Sequence, residues 1–126
     1  MREIKFRGYA TFTKTRKAWI CGLPAYSGNE IYGIQTTERT TIQVDVETIG
    51  QYTGLKDKNG IEIYEGDIIK HDGNMSQVFY NSAHCAFMLD GIGVKTRGYL
   101  RLGQLSSLGI EVIGNIYESP ELIRGD

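Results

Sequence analysis

The stretch Gln51–Lys70 limits what this chain can become more than any other part of it. At its centre, Asp57-Lys58-Asn59-Gly60 is a tight-turn signal, because Asn and Gly tolerate the positive φ that hairpin turns require. Ile61 and Ile63 flank Glu62 with the alternation of a half-buried strand. Glu65-Gly66-Asp67 interrupts the run, and Ile68-Ile69 resumes it as a second short strand. Turn, strand, glycine corner and strand in such quick succession require a sheet that bends sharply, and glycine at the corner permits the bend. The stretch predicts a small, strongly curved β structure.

The remaining composition agrees. A chain of 126 residues suits one domain with a real core. Sixteen glycines against two prolines indicate many tight corners, and eight tyrosines lean toward strands. The formal net charge of −1 argues against a dedicated nucleic-acid binder, which carries a basic excess. Cys21 and Cys85 are the two cysteines, and reduced thiols in a cytoplasm are the simplest expectation for them. The alternating, charged opening Met1–Arg7 lacks the apolar core of a secretion signal, and no stretch is long and apolar enough to span a membrane.

Three blocks carry a resemblance. Gln51-Tyr52-Thr53-Gly54-Leu55, then Asp57-Lys58-Asn59-Gly60, then Ile63-Tyr64-Glu65-Gly66-Asp67-Ile68 resembles the signature of the YopX family, small proteins of bacteriophages and prophages. The opening Arg2–Gly8 and the closing Val112-Ile113-Gly114-Asn115-Ile116-Tyr117-Glu118-Ser119-Pro120-Glu121-Leu122 are similar to that family's two ends. The resemblance implies a mostly β fold with an SH3-like barrel portion, and a phage or prophage origin. It brings no established molecular function, no catalytic residues and no cofactor. Residues 27–45 and 71–105 show no motif of the family.

Along the chain, residues 2–22 read as a hairpin with a polar turn at Thr13–Lys17 and a return strand carrying Trp19. Trp19 is expected to anchor one end of the sheet in the core. Leu23–Glu30 reads as a loop punctuated by Pro24 and Gly28, and Ile31–Gln35 and Thr41–Val46 as short strands. Asp45–Gly50 suggests a helical turn capped by Asp45. His71–Asn74 is a second turn, followed by strands at Ser76–Tyr80, Ala83–Leu89 (buried on both faces) and Ile110–Tyr117. A wider loop is expected over Ile92–Lys95, and a strand or short helical segment from Tyr99 to Leu105. Ser119-Pro120 opens a final helical turn.

Chemistry-bearing patterns are sparse. Cys21, Cys85, His71 and His84 show no paired metal-ligand spacing, and no phosphate loop appears. Glu62, Glu65 and Asp67 form an acidic group able to coordinate Ca²⁺ or act in acid–base work, although an Asp at such a corner commonly accepts backbone N–H bonds. Tyr52, Tyr64 and Tyr117 could each donate a hydroxyl to a partner groove, although a tyrosine beside such a corner more often buries its ring and ties its hydroxyl to a backbone carbonyl. In the first hairpin Arg2, Lys5, Arg7, Lys14, Arg16 and Lys17 outnumber Glu3, with Tyr9, Phe12 and Trp19 interleaved. That is a candidate nucleic-acid or partner surface, or else a solvated face that blocks edge pairing.

The sequence therefore predicts a mainly β, single YopX-like domain. A small SH3-like barrel is expected around residues 50–118, with the N-terminal segment 1–49 packed on it and little helix. The structural signature is Tyr52, Gly54, Asp57, Asn59, Gly60, Tyr64, Glu65, Gly66, Asp67, Gly114, Asn115 and Tyr117. The expected function is non-catalytic: a cytoplasmic accessory protein that binds an unidentified protein partner or itself as a homo-oligomer, with no metal, cofactor or membrane. The alternatives are a weak, sequence-independent nucleic-acid binder using the basic hairpin, and a small-molecule or nucleotide-processing enzyme using the Glu65/Asp67 corner.

Overall fold

A computed structural model describes residues 3–93 and 100–124. The chain is mainly β, with eleven strands among the described residues, and divides into two compact units, Met1–Tyr52 and Thr53–Asp126.

In the first unit, β1 (Phe6–Thr11), β2 (Lys17–Ser27), β3 (Glu30–Gln35), β4 (Thr41–Gln43) and the larger part of β5 (Asp45–Lys56) form an antiparallel sheet in the order β4-β3-β2-β1-β5. The expected first hairpin is present, with Phe6 opposite Gly22 and Thr11 opposite Lys17. Ala10, Ile34 and Val44 are its buried centre, with Phe6, Ile20, Ile42 and Ile49 packed on them.

Two local readings are corrected here. Leu23–Ser27 is strand, not loop, and Pro24 lies inside it opposite Ile34. The β1 ladder ends at Gly22, so Pro24 sits where β2 has a neighbour in β3 but no longer in β1. A missing N–H is tolerated at such an edge. Asp45–Gly50 is also strand, within β5. The register against β1 jumps from Gly50 to Asp45 while β1 advances only from Arg7 to Tyr9, which leaves a bulge. Thr48 closes the bulge: its Oγ1 accepts the Tyr9 amide at 2.8 Å and donates to the Asp45 carbonyl. β-Branched Val46, Thr48 and Ile49 hold extended backbone where a helical turn was expected.

In the second unit, the end of β5 runs beside β6 (Glu62–Tyr64), with the Thr53 hydroxyl donating to the Ile63 carbonyl at 2.8 Å. A second antiparallel sheet comprises β7 (Asp67–His71), β8 (Asn74–Asn81), β9 (Ala86–Ile92), β10 (Leu100–Arg101) and β11 (Glu111–Asn115), ordered β10-β9-β8-β7-β11. Two 3-10 turns, Leu102–Gln104 and Ser107–Gly109, lead from β10 to β11. Helix α1 (Pro120–Arg124) follows, as Ser119-Pro120 implied. Ile63, Ile69, Val78, Leu89, Leu102 and Ile110 form the apolar core, and burial of that many branched side chains dominates this unit's stability.

Two expectations fail locally in this unit. Ile61 is exposed while Ile63 is fully buried, because Ile61 still belongs to the turn and the strand starts at Glu62. Ala83–Cys85 is a turn and not a buried strand. The Asn81 carboxamide oxygen accepts the amides of Ala83 at 2.9 Å and His84 at 3.2 Å, and Cys85 has a φ of 48°. Cys85 is thus exposed, as is Cys21, and neither forms a disulfide. The loop expected over Ile92–Lys95 and the reading of Tyr99 fall largely outside the described residues.

Candidate functional site

The signature residues are scattered over the sequence, and in the second unit the fold gathers them into two knots. The first centres on Asp57, which is 5% exposed. Its Oδ1 accepts the amides of Asn59 at 2.8 Å and Ile61 at 2.9 Å, which shapes the turn carrying Gly60. Its Oδ2 accepts the amide of Val112 at 3.0 Å, and Lys58 N donates to the Ile110 carbonyl at 2.9 Å. The turn is thereby fastened to β11. Burial works to raise the Asp57 pKa, but hydrogen bonds from Val112, Ile61 and Asn59, with the Lys58 charge, outweigh it and hold the carboxyl below its ordinary 3.8.

The second knot joins the Glu65-Gly66-Asp67 corner to the end of β11. Asp67 is 1% exposed and its Oδ2 accepts the Tyr64 amide at 2.8 Å. Gly66 has a φ of 89°, donates its N–H to the Val78 carbonyl and accepts the Ile116 N–H, both at 2.9 Å. A side chain there would meet the Tyr117 ring at 3.1 Å, so glycine serves both the backbone angle and the ring contact. Asn115 is buried beside this corner. Its Oδ1 accepts the amides of Tyr117 at 3.0 Å and Glu118 at 2.8 Å, while its Nδ2 donates to Glu118 Oε1 at 2.9 Å. Gly114 leaves room for Ser119, whose Oγ would lie 2.6 Å from an added Cβ.

The rest of the signature takes similar places. The Tyr64 hydroxyl lies 3.1 Å from Glu62 Oε1, and Tyr64 is buried. Tyr52, the last residue of the first unit, is buried, and its amide donates to the Lys5 carbonyl at 2.8 Å. Gly54 and Gly60 both have positive φ, in β5 and in the turn. Glu65 is half-buried. Sequence reasoning missed Val112 and Glu118 as partners: the Val112 amide closes its knot from 55 positions along the chain and has no local signal, whereas Glu118 stands only three residues from Asn115.

The basic hairpin is divided by the fold. Arg2 lies outside the described residues. Arg7 is buried, its guanidinium carbon 4.1 Å from the centre of the Trp19 ring. Trp19 in turn packs on Tyr9 at 4.9 Å, so the indole is half-buried within this stack and not a deep core anchor. Lys5 is half-buried, 3.1 Å from Glu3 and 5.2 Å above the Tyr52 ring. Lys14, Arg16 and Lys17 remain exposed at the hairpin tip, with Arg16 5.2 Å from the Phe12 ring. Thr13 Oγ1 braces that tip by accepting the Arg16 amide at 2.9 Å. Among the described residues, no three His, Cys, Asp or Glu side chains gather as metal ligands would, and no helix is long and apolar enough to cross a membrane.

Known proteins place the same features in a family. No curated protein matches the chain. The crystal structure of protein EF1440 from Enterococcus faecalis is similar to it over 98% of this chain and 99% of that one, at 27% sequence identity and a TM-score of 0.63. The family model described as YopX protein matches residues 5–124, nearly the whole length, and the chain belongs to the YopX family.

Proposed function

We propose that the protein is a non-catalytic accessory protein, encoded by a phage or prophage, that acts in the bacterial cytoplasm by binding another macromolecule or a second copy of itself. The observation that carries this reading is the use to which the signature is put. Asp57, Asp67 and Asn115 spend their side-chain oxygens on backbone amides of the protein's own turns and are nearly closed to solvent. An acid–base group needs access to a substrate, and a carboxylate 1% exposed has little. The Glu65/Asp67 corner is better suited to holding β7 against the chain beyond β11. What varies freely on such a scaffold is its edges and loops, the usual places for docking.

The strand order β10-β9-β8-β7-β11, with 3-10 turns before the last strand, also supports reading the second unit as an SH3-like barrel. Self-association is supported by the short edge strands β4 and β10 and by a net charge of −1, which provides little repulsion between copies. Light scattering over a range of protein concentrations tests it: a mass that rises above one chain is expected, and a strict monomer at high concentration would leave only the hetero-partner form.

Sequence-independent nucleic-acid binding is the second reading, favoured by the exposed Lys14, Arg16 and Lys17 beside Phe12.

A further inference from the structure

The first unit holds a cleft whose lining is chemically coherent and which belongs to neither knot. It encloses about 600 Å³, within the ~300–1,000 Å³ usual for small-molecule sites. Its lining includes the close approach of β2 and β3, where a Cβ at Gly22 would stand 2.0 Å from the Gln35 carbonyl oxygen. Ile4 and Leu23 offer apolar wall, Thr36 and Thr37 offer hydroxyls, and the exposed Cys21 also lines it.

The charges in the cleft do not cancel. Lys5 and Glu3 lie 3.1 Å apart and offset one another. Among the described residues, Arg39 is the further charge in the lining. It occupies a turn fixed by Arg39 N to Thr36 O at 3.0 Å and Thr36 N to Thr40 O at 2.9 Å, with a φ of 63°. Glycine enters that region freely, whereas a residue with a Cβ is disfavoured there. An arginine thus stands where the backbone alone would prefer glycine, in the lining of a cleft whose described residues carry a net positive charge. A guanidinium presents a planar fork of donors matched to carboxylate and phosphate oxygens.

We propose that this cleft binds a small organic anion, a carboxylate or a phosphate monoester with an apolar body. The Arg39 guanidinium and the Thr36 and Thr37 hydroxyls take the head group, and Ile4 and Leu23 take the body. The site goes beyond the docking role above and does not depend on it.

Cys21 provides the readout. In the full chain carrying Cys85→Ser, alkylation of Cys21 by iodoacetamide is followed by mass spectrometry with phenyl phosphate, phenylacetate or neutral 2-phenylethanol present. At least one anion is expected to slow alkylation about fivefold at low-millimolar concentration, and the alcohol is not. Which anion protects fixes the head group. Arg39→Gln is expected to raise the anion concentration needed for half-maximal protection about tenfold, the usual consequence of losing a charge-assisted pair. Arg39→Gly relieves the backbone angle, so it should melt no lower than the parent and still lose protection. Equal protection by the alcohol, full protection in Arg39→Gly, or no protection by either anion at about 10 mM would each overturn the proposal.

Discussion

Asp57 Oδ2 accepts the amide hydrogen of Val112 at 3.0 Å, a bond between residues 55 positions apart that ties the central turn to the last strand. The same carboxylate organises its own turn through Asn59 and Ile61. One side chain thus links the local conformation of a signature block to the tertiary fold. Asp57→Ala takes the acceptor from three part-buried amide donors at once and is expected to cost about 3 kcal/mol in denaturant unfolding.

The same group sets an acid dependence. Its folded pKa lies below the ordinary 3.8, so the unfolded chain binds the proton more readily than the folded one. Its contribution is full well above pH 3.8, shrinks as pH falls through that value and is gone below the folded pKa. Urea midpoints measured from neutral pH down to about pH 3 should fall less steeply for Asp57→Asn than for the parent. Equal slopes would show that the carboxylate is not the group responsible.

Gly114 is expected to resist enlargement. An alanine Cβ would stand 2.6 Å from Ser119 Oγ, 3.0 Å from its Cβ and 3.2 Å from Leu122 Cδ1. Gly114→Ala should lower stability by about 1–2 kcal/mol through overpacking. Adding Ser119→Gly should restore most of it, since glycine is a tolerated N-cap and removes the nearest obstacle. Additive losses in the double variant would mean that the two sites do not touch as described.

At the hairpin tip the expectation is tolerance. Lys14, Arg16 and Lys17 are exposed, so their joint reversal to glutamate should leave the far-ultraviolet circular dichroism unchanged. Gel retardation of single- and double-stranded DNA at low salt is expected to be absent in the parent. Retardation with a log–log salt slope near about −3, lost in the triple variant, would instead favour the nucleic-acid reading.

Features written in neighbouring residues were legible in the sequence. The Asp57–Gly60 turn, the Asp72-Gly73 turn between β7 and β8, and the Ser119-Pro120 helix start all form where local chemistry placed them. Features decided by a neighbouring strand were not. Pro24 looks like a loop residue until the end of β1 shows that β2 has a free side there. Arg7 looks like surface charge until Trp19, returning on β2, covers it. Cys85 sits in an apolar run, yet the Asn81 carboxamide folds that run into a turn before β9 begins. The signature was readable as a pattern, but its closure through Val112 and Ile116 depends on contacts across the fold.

The central claim is that the signature acidic residues and Asn115 hold the fold and are not reactive groups. Denaturant unfolding of Asp67→Ala and Asn115→Ala tests it most directly, against exposed Lys17→Ala as a control. Each knot variant is expected to lose about 2–3 kcal/mol, because Asp67→Ala leaves the buried Tyr64 amide, and Asn115→Ala the part-buried amides of Tyr117 and Glu118, without their acceptor, and the control to stay within about 0.5 kcal/mol. Knot variants as stable as the control would contradict the claim and point to side chains retained for chemistry.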